Sequence, residues 1–349
     1  MLSQPNSCSK NFRVHVQVSI RLHLRNDFQN NFNPKNIMKA TLELPQLIEV
    51  EGLEPYDFIS YYENNKTAIE KGLEKNGAVK IKGVHIDTLD DFQKIVNAIS
   101  NKFLNYIDGN SPRTKLTGNV YTSTEFDKTR RITMHNELSY STKWPKKLFF
   151  SCLKPAATGG ETLLADSREI LNLMDKTIVG EIINKGLFYI RNLHGGLGIG
   201  PSWQETFETN DREQLENYCK SHNIQFEWKD NDHLKLIQRS KGIIPHHITR
   251  EMLWFNQIDQ FHPSHLGEEL YEVLQSMYES ETDYPMFVQF GDGTEISEDM
   301  VNEIGRTIEK VTIAPKWEKD ELLIVDNELI CHGRNPFTGT RRVLVSLSD

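Results

Sequence analysis

DNELICHGRNPFTGTRRVLVSL, residues 326–347, carries His332 and, nine and ten residues later, the pair Arg341-Arg342 at the head of an alternating apolar run. Arg341–Leu347 reads as a strand, and so does Glu321–Ile324 just upstream. Much earlier in the chain, Met134-His135-Asn136-Glu137 sets a His and a Glu two residues apart. On a strand, side chains i and i+2 leave the same face. An imidazole nitrogen and a carboxylate oxygen can then reach one metal ion, with His332 as a third ligand from a distant strand. Two His and one carboxylate on one side of a coordination sphere leave positions open, which suits a bidentate co-substrate and dioxygen on Fe(II). An HxE pair alone is weak evidence in a chain with twelve histidines, where it also reads as two solvated residues on a surface strand. Its surroundings shift the balance. A keto-diacid co-substrate needs a cation for its far carboxylate, and a guanidinium, Arg341 or Arg342, is the natural bidentate partner. Thr162 in Gly159-Gly160-Glu161-Thr162 can donate a hydroxyl hydrogen bond to that carboxylate, and the two glycines permit a tight backbone approach.

The chain has 349 residues, which corresponds to roughly two domains or one large domain with insertions. Apolar residues make up 38% and charged residues 26%, enough for a sizeable core. The net charge of −9 argues against a nucleic-acid or anionic-membrane partner. No segment approaches the ~20 apolar residues that span a bilayer. Four scattered cysteines (Cys8, Cys152, Cys219, Cys331) form no CxxC pair, so a reducing, cytoplasmic setting is expected. Residues 1–37 are rich in Asn, Ser and Gln and carry five Lys/Arg against one acid, Asp27. They read as a disordered tail, or as sequence upstream of a true start at Met38. A mitochondrial presequence is the competing reading of this basic segment, and Val14–Leu24 alternates like an edge strand. The expected division is an extension over 1–37 and a single domain over 38–349.

Within the body, residues 56–76 read as a helix and Gly77–Val84 as a strand. Asp87 can cap the next helix, with Phe92, Ile95, Val96, Ile99 and Phe103 on one face. Leu148–Leu153 and Glu161–Ala165 are strands around the turn 155–160. Asp166 or Ser167 then caps a helix from about Arg168 to Met174. The middle, about 190–310, mixes short helices (Glu268–Glu279, Glu298–Lys310) with polar loops, and the end is β again. The expected class is α+β: one β core with flanking helices and a long helical and loop lid insertion over about 190–310.

HNELSYS (135–141), WPKKLFF (144–150), KPAATGGETLLADSREI (154–170), WFNQ (254–257) and residues 326–347 together resemble the TauD/TfdA superfamily of Fe(II)/2-oxoglutarate-dependent dioxygenases, nearest its SyrP-like, clavaminate-synthase-like branch. The likeness runs from about residue 70 to 349, and residues 1–45 add nothing to it. It implies a double-stranded β-helix (jelly-roll) core with Fe(II) on His135, Glu137 and His332. It also implies 2-oxoglutarate held at its far carboxylate by Thr162 and Arg342, with Arg341 as the fallback, because a one-residue register change exchanges strand faces. Glu137 in place of Asp is usual for this branch, and a carboxylate there argues against the related halogenases. The implied reaction consumes 2-oxoglutarate and dioxygen, releases succinate and CO2, and hydroxylates an unactivated C–H.

The substrate expected by resemblance is an amino acid or its derivative, free or tethered to a carrier protein. A sulfonate is disfavoured, because Ser346 stands where taurine-type members carry a second arginine. Arg131, Trp254, Asn256 and Arg334 are the substrate-contact residues expected, against readings of Trp254 as a core aromatic and of the arginines as solvated. His246 and His247 have no carboxylate in HxE register, and Cys331 should point away from the face that carries His332. The competing functions are a Zn-dependent hydrolase on the same trio and a non-catalytic barrel. A hydrolase has no need of the Thr162 and arginine clamp.

Overall fold

In the computed structural model, which describes residues 43–104, 107–109, 115–122 and 126–349, the chain begins with strand β1 (Gln46–Leu53), helix α1 (Pro55–Asn76), strand β2 (Ala78–Val84) and helix α2 (Leu89–Ile99). The extension 1–37, with its alternating stretch Val14–Leu24, lies outside the described residues. Helix α1 starts on Pro55, whose missing N–H would have no helical partner there, and stops at Gly77 in the left-handed region (φ 74), whose N–H reaches Leu73 O. Helix α2 is capped by Thr88, not by Asp87. Thr88 and Asp91 exchange side-chain and backbone hydrogen bonds in a capping box, while Asp87 pairs with Lys319 at 2.7 Å. Phe92, Ile95, Val96 and Ile99 are buried as their spacing predicts, whereas Phe103 falls beyond the helix and bridges to Ser348.

Short strands β3 (Lys115–Thr117), β4 (Val120–Thr122) and β5 (Ile132–His135) precede β6 (Lys147–Lys154), β7 (Thr158–Gly159) and β8 (Thr162–Asp166). Helices α3 (Ser167–Leu173) and α4 (Lys176–Lys185) follow, and the Asp166 carboxylate caps α3 by accepting from the N–H groups of Arg168 and Glu169. The middle holds β9 (Leu187–Leu193), α5 (Trp203–Phe207), α6 (Arg212–Ser221), β10 (Gln225–Trp228), β11 (Leu234–Ser240), the hairpin β12 (Ile243–Pro245) and β13 (Met252–Trp254), α7 (Ile258–Phe261), α8 (Glu268–Met277), β14 (Met286–Phe290) and α9 (Glu298–Val311). The chain closes with β15 (Glu321–Asp326), β16 (Ile330–Arg334), β17 (Phe337–Thr338) and β18 (Arg342–Ser348).

Two facing sheets make the jelly roll. The larger runs β1-β2-β15-β6-β18-β4-β3 and is antiparallel except for the β1–β2 pair; the smaller is β5-β16-β8, antiparallel throughout. Period-two alternation sorts their side chains into layers. Leu148, Phe150, Leu323, Val343, Val345 and Leu347 of the larger sheet meet Leu164 and Ile330 of the smaller one in the interior. Phe149, Leu322, Ile324 and Leu344 face the opposite way, onto α1 and α2. On the smaller sheet Met134, Leu163, Ala165 and Cys331 point outward, against a cluster that includes residues of α3, α4, α7 and α9. His332 and Thr162 therefore share parity with the interior residues Ile330 and Leu164.

The middle differs from a helical and loop insertion, because it contains a four-stranded antiparallel sheet, β10-β11-β9-β14. Its strands alternate over only a few residues, as in Leu234, Leu236 and Gln238 buried between half-buried Lys235 and Ile237. Polar residues at core positions, Gln238 on β11 and Arg191 on β9, mask the alternation. Cys152, Cys219 and Cys331 are buried free thiols. Among the described residues no helix is long and apolar enough to cross a membrane.

Candidate metal centre

Strands β5 and β16 pair so that His135 stands directly opposite His332, with ring centroids 4.4 Å apart. Glu137 lies two residues past His135, where the chain leaves β5 in a turn with Leu138 at φ 57. All three side chains are buried, and one ligating atom from each lies within 4.8 Å of the others. Glu137 Oε2 is 3.9 Å from His332 Nε2. His135 Nδ1 sits 2.8 Å from Thr133 O, a contact that requires the proton on Nδ1 and leaves Nε2 as the donor atom. Two imidazole nitrogens and one carboxylate oxygen, drawn together away from solvent, suit a divalent transition metal. The Phe150 ring, 5.6 Å from that of His332, borders the trio from the larger sheet.

Asn327 is the residue of this centre that the sequence reading missed. Its Oδ1 accepts from Glu137 N–H at 2.7 Å, and its Nδ2 donates to Glu137 O and Pro145 O. Asn136 Nδ2 donates back to Asn327 O at 2.7 Å. Gln257 Nε2 donates to Asn136 O, and its own N–H reaches Tyr189 Oη. The turn that presents Glu137 is thus held from two sides. A loop Asn between Asp326 and Glu328 is the one available signal, and it does not name its partner.

The order of preference between the two arginines reverses. Val343, Val345 and Leu347 face the interior, so Arg341 has inward parity and Arg342 has not. Arg342 is exposed, opposite Lys154 at the edge of a bulge. Arg341 Nε donates to Gly160 O at 2.8 Å. Burial pushes its guanidinium down to about 10, and the neighbouring charge of Arg334 adds to the effect. The glycine pair makes room for this side chain: at Gly160 (φ 74) a Cβ would lie 2.9 Å from Arg341 Cδ. Thr162 is buried on β8 opposite Arg334 and accepts a hydrogen bond from Trp317 Nε1 at 3.0 Å.

The four residues expected to touch substrate are engaged elsewhere. Arg131 is partly exposed and pairs with Glu309 at 2.7 Å. Trp254 is buried in the apolar cluster outside the smaller sheet. Asn256 donates to Gly242 O and accepts from Ile258 N–H, so it shapes the start of α7. Arg334 donates to the carbonyls of Phe126, Asp127 and Arg130 and holds that loop. The arginine assignments rested on closeness to the ligands in sequence, which does not fix where a long side chain ends, and those of Trp254 and Asn256 on the resemblance of WFNQ (254–257) and its place in the middle segment. Cys331 points outward, as strand parity predicts.

A second trio, His246, His247 and Glu328, also brings three ligating atoms together. Its atoms already have protein partners. His246 Nε2 lies 3.1 Å from Asp326 Oδ2, and His247 Nδ1 lies 2.7 Å from Glu328 Oε2. Glu328 also accepts from Trp144 Nε1 and Lys146 Nζ. Burial pushes the Glu328 carboxyl up, but the hydrogen bonds from Lys146, His247 and Trp144 outweigh it and hold the group at about 2. This cluster ties the β12–β13 hairpin to the turn before β16.

A His, Glu, His set on the small sheet of a jelly roll, with the half-buried guanidinium of Arg341 at inward parity on the facing sheet, fits the class of Fe(II)- and 2-oxoglutarate-dependent oxygenases. The family described as taurine catabolism dioxygenase TauD, TfdA family matches residues 40–347, and the chain belongs to it. It is accordingly a dioxygenase that depends on Fe(II) and 2-oxoglutarate. It is 34% identical over 281 residues to the dapdiamide synthesis protein DdaC of Enterobacter agglomerans, covering 80% of this chain and 84% of that one. It is 30% identical over 298 residues to a clavaminate synthase-like protein of Arabidopsis thaliana, covering 83% and 87%. Among solved structures, a taurine dioxygenase from Burkholderia xenovorans shares the fold with a TM-score of 0.50 at 11% identity, covering 88% of each chain.

Proposed function

We propose that this enzyme hydroxylates an unactivated C–H of a small, amino-acid-derived substrate, free or tethered to a carrier protein. In this reading His135, Glu137 and His332 hold the iron, and Arg341 with Thr162 holds the far carboxylate of 2-oxoglutarate. The observation that carries it is the approach of three ligating atoms to within 4.8 Å on the interior side of a sheet whose first β8 residue is Thr162. Bound there, Fe(II) with 2-oxoglutarate and dioxygen supplies an oxidant strong enough for such a C–H bond, with succinate and CO2 as the other products. The chain supplies position. Thr133 O keeps the His135 proton on Nδ1, Asn327 holds the backbone of Glu137, and the half-buried Arg341 neutralises the far carboxylate. The likeness to a dapdiamide synthesis protein supports the substrate class.

The test is anaerobic addition of 2-oxoglutarate to the Fe(II)-loaded protein. A weak visible charge-transfer band is expected, lost in His135→Ala and kept in His246→Ala. A wild-type band that fails to form removes the proposal; a band that survives His135→Ala removes the ligand assignment. Succinate release, screened over free amino acids and carrier-bound aminoacyl thioesters, then tests the substrate class. Stimulation by none of them overturns that part.

A further inference from the structure

Thr162 and Trp317 form a hydrogen bond whose direction has a consequence for the co-substrate. A threonine hydroxyl has one proton to donate and two lone pairs to accept with. Here the indole N–H of Trp317 donates to Thr162 Oγ1 at 3.0 Å. An indole nitrogen can only donate, so this contact occupies one of the two lone pairs, limits the rotation of the hydroxyl and leaves its proton to donate elsewhere. Among the described residues no acceptor is hydrogen-bonded to the Thr162 proton. Thr162 has the parity of the interior residue Leu164 and sits two residues past Gly160, whose carbonyl receives Arg341 Nε.

Trp317 is itself held on both sides of its backbone. The segment before it runs along β8, where Leu164 and Ile313 exchange backbone hydrogen bonds. Lys80 Nζ donates to Lys316 O at 2.5 Å, and Glu321 Oε2 accepts from Glu318 N–H at 2.9 Å. Lys80 and Glu321 are buried and pair with each other at 2.6 Å across β2 and β15, and the Lys80 ammonium lies 5.2 Å from the Trp317 ring centroid. A buried ion pair from the larger sheet thereby fixes the residues flanking an indole that reaches across to the smaller one.

We infer that Trp317 is a positioning residue for 2-oxoglutarate: its N–H engages one lone pair of the Thr162 hydroxyl and sets its orientation, so that the proton is presented to the far carboxylate beside Arg341. The inference rests on the co-substrate assignment made above. Its test separates the two. Wild-type protein, Trp317→Phe and Thr162→Val are loaded with Fe(II) without oxygen and titrated with 2-oxoglutarate and with 2-oxovalerate, which has the same carbon chain without the far carboxylate. Wild type should bind 2-oxoglutarate more tightly than 2-oxovalerate. Trp317→Phe should weaken 2-oxoglutarate about tenfold, the scale of one hydrogen bond to a charged group, and leave 2-oxovalerate unchanged. Combined with Thr162→Val it should add little further loss, because both changes remove the same interaction.

Equal weakening of both ligands by Trp317→Phe overturns the inference and leaves Trp317 a packing residue. So does a full additional loss on top of Thr162→Val. Absence of any wild-type preference for 2-oxoglutarate overturns the co-substrate assignment beneath it. Thermal unfolding shows which variants are folded, and Trp317→Tyr, which also lacks the indole N–H but fills more of the space, serves if Trp317→Phe is not.

Discussion

Arg342 opens β18 and Arg341 directly precedes it, so that the two have opposite strand parity. Arg342 shares parity with Leu344, Ser346 and Ser348, and Arg341 with the interior residues Val343, Val345 and Leu347. That alternation was legible in the residues, but which face turns inward depends on the partner sheet. Arg341→Met should therefore raise the 2-oxoglutarate dissociation constant by two orders of magnitude or more, matching the ~3–5 kcal/mol for leaving a buried charge unpaired. Arg342→Met should change it by no more than about twofold, as is usual for an exposed charge. Calorimetric or charge-transfer titration of both variants checks the pair. Asn327→Ala should lower iron affinity by about 10–100-fold, the typical effect of losing a group that orients a ligand. It also leaves the Glu137 N–H and carbonyl without this partner. Iron titration of folded protein measures the effect, and unchanged affinity would show that Asn327 acts on stability alone.

At the scale of elements, two devices hold segments in place. The Thr88 and Asp91 capping box starts α2, and Thr88→Ala should cost about 1 kcal/mol of stability, read from denaturant unfolding. The Glu328 cluster anchors the β12–β13 hairpin. Its carboxyl sits at about 2 in the fold against an ordinary 4.5, so the folded state binds a proton less readily than the unfolded chain. The stabilisation is fully present above pH 4.5 and is lost as the pH falls through about 2. Glu328→Gln should lower stability at neutral pH by roughly 1–3 kcal/mol and flatten this acid dependence. Equal acid sensitivity in wild type and variant would assign the effect to other carboxylates. The sheet β10-β11-β9-β14 was hidden in the sequence for a related reason. Its strands are short, and polar residues at core positions such as Gln238 and Arg191 interrupt their alternation, so that only pairing with neighbours reveals them.

At the scale of the whole molecule, the trio joins the two ends of the domain. His135 and Glu137 come from an early strand and turn, and His332 from one near the C-terminus, so a bound metal links segments far apart in sequence. Fe(II) and 2-oxoglutarate should therefore both raise the unfolding temperature, each contributing about 2.7 kcal/mol of stabilisation when it stands at a hundred times its dissociation constant. Chelation should reverse the shift, and His332→Ala should abolish it; a shift that persists in His332→Ala would place the metal elsewhere. The HxE spacing, the glycine pair before Thr162 and the histidine near the C-terminus pointed to a metal site with a carboxylate clamp, because strand parity and ligand chemistry are local properties of the chain, and the resemblance of the motifs as a set implied the jelly-roll oxygenase. The preference for Arg341, the clamping of Glu137 by Asn327, the bond from Trp317 to Thr162 and the contacts that Arg131, Trp254, Asn256 and Arg334 make came from the packed molecule alone. Each depends on which sheet face turns inward and which distant groups then come within hydrogen-bonding reach, and neither is encoded in the spacing of residues along one strand.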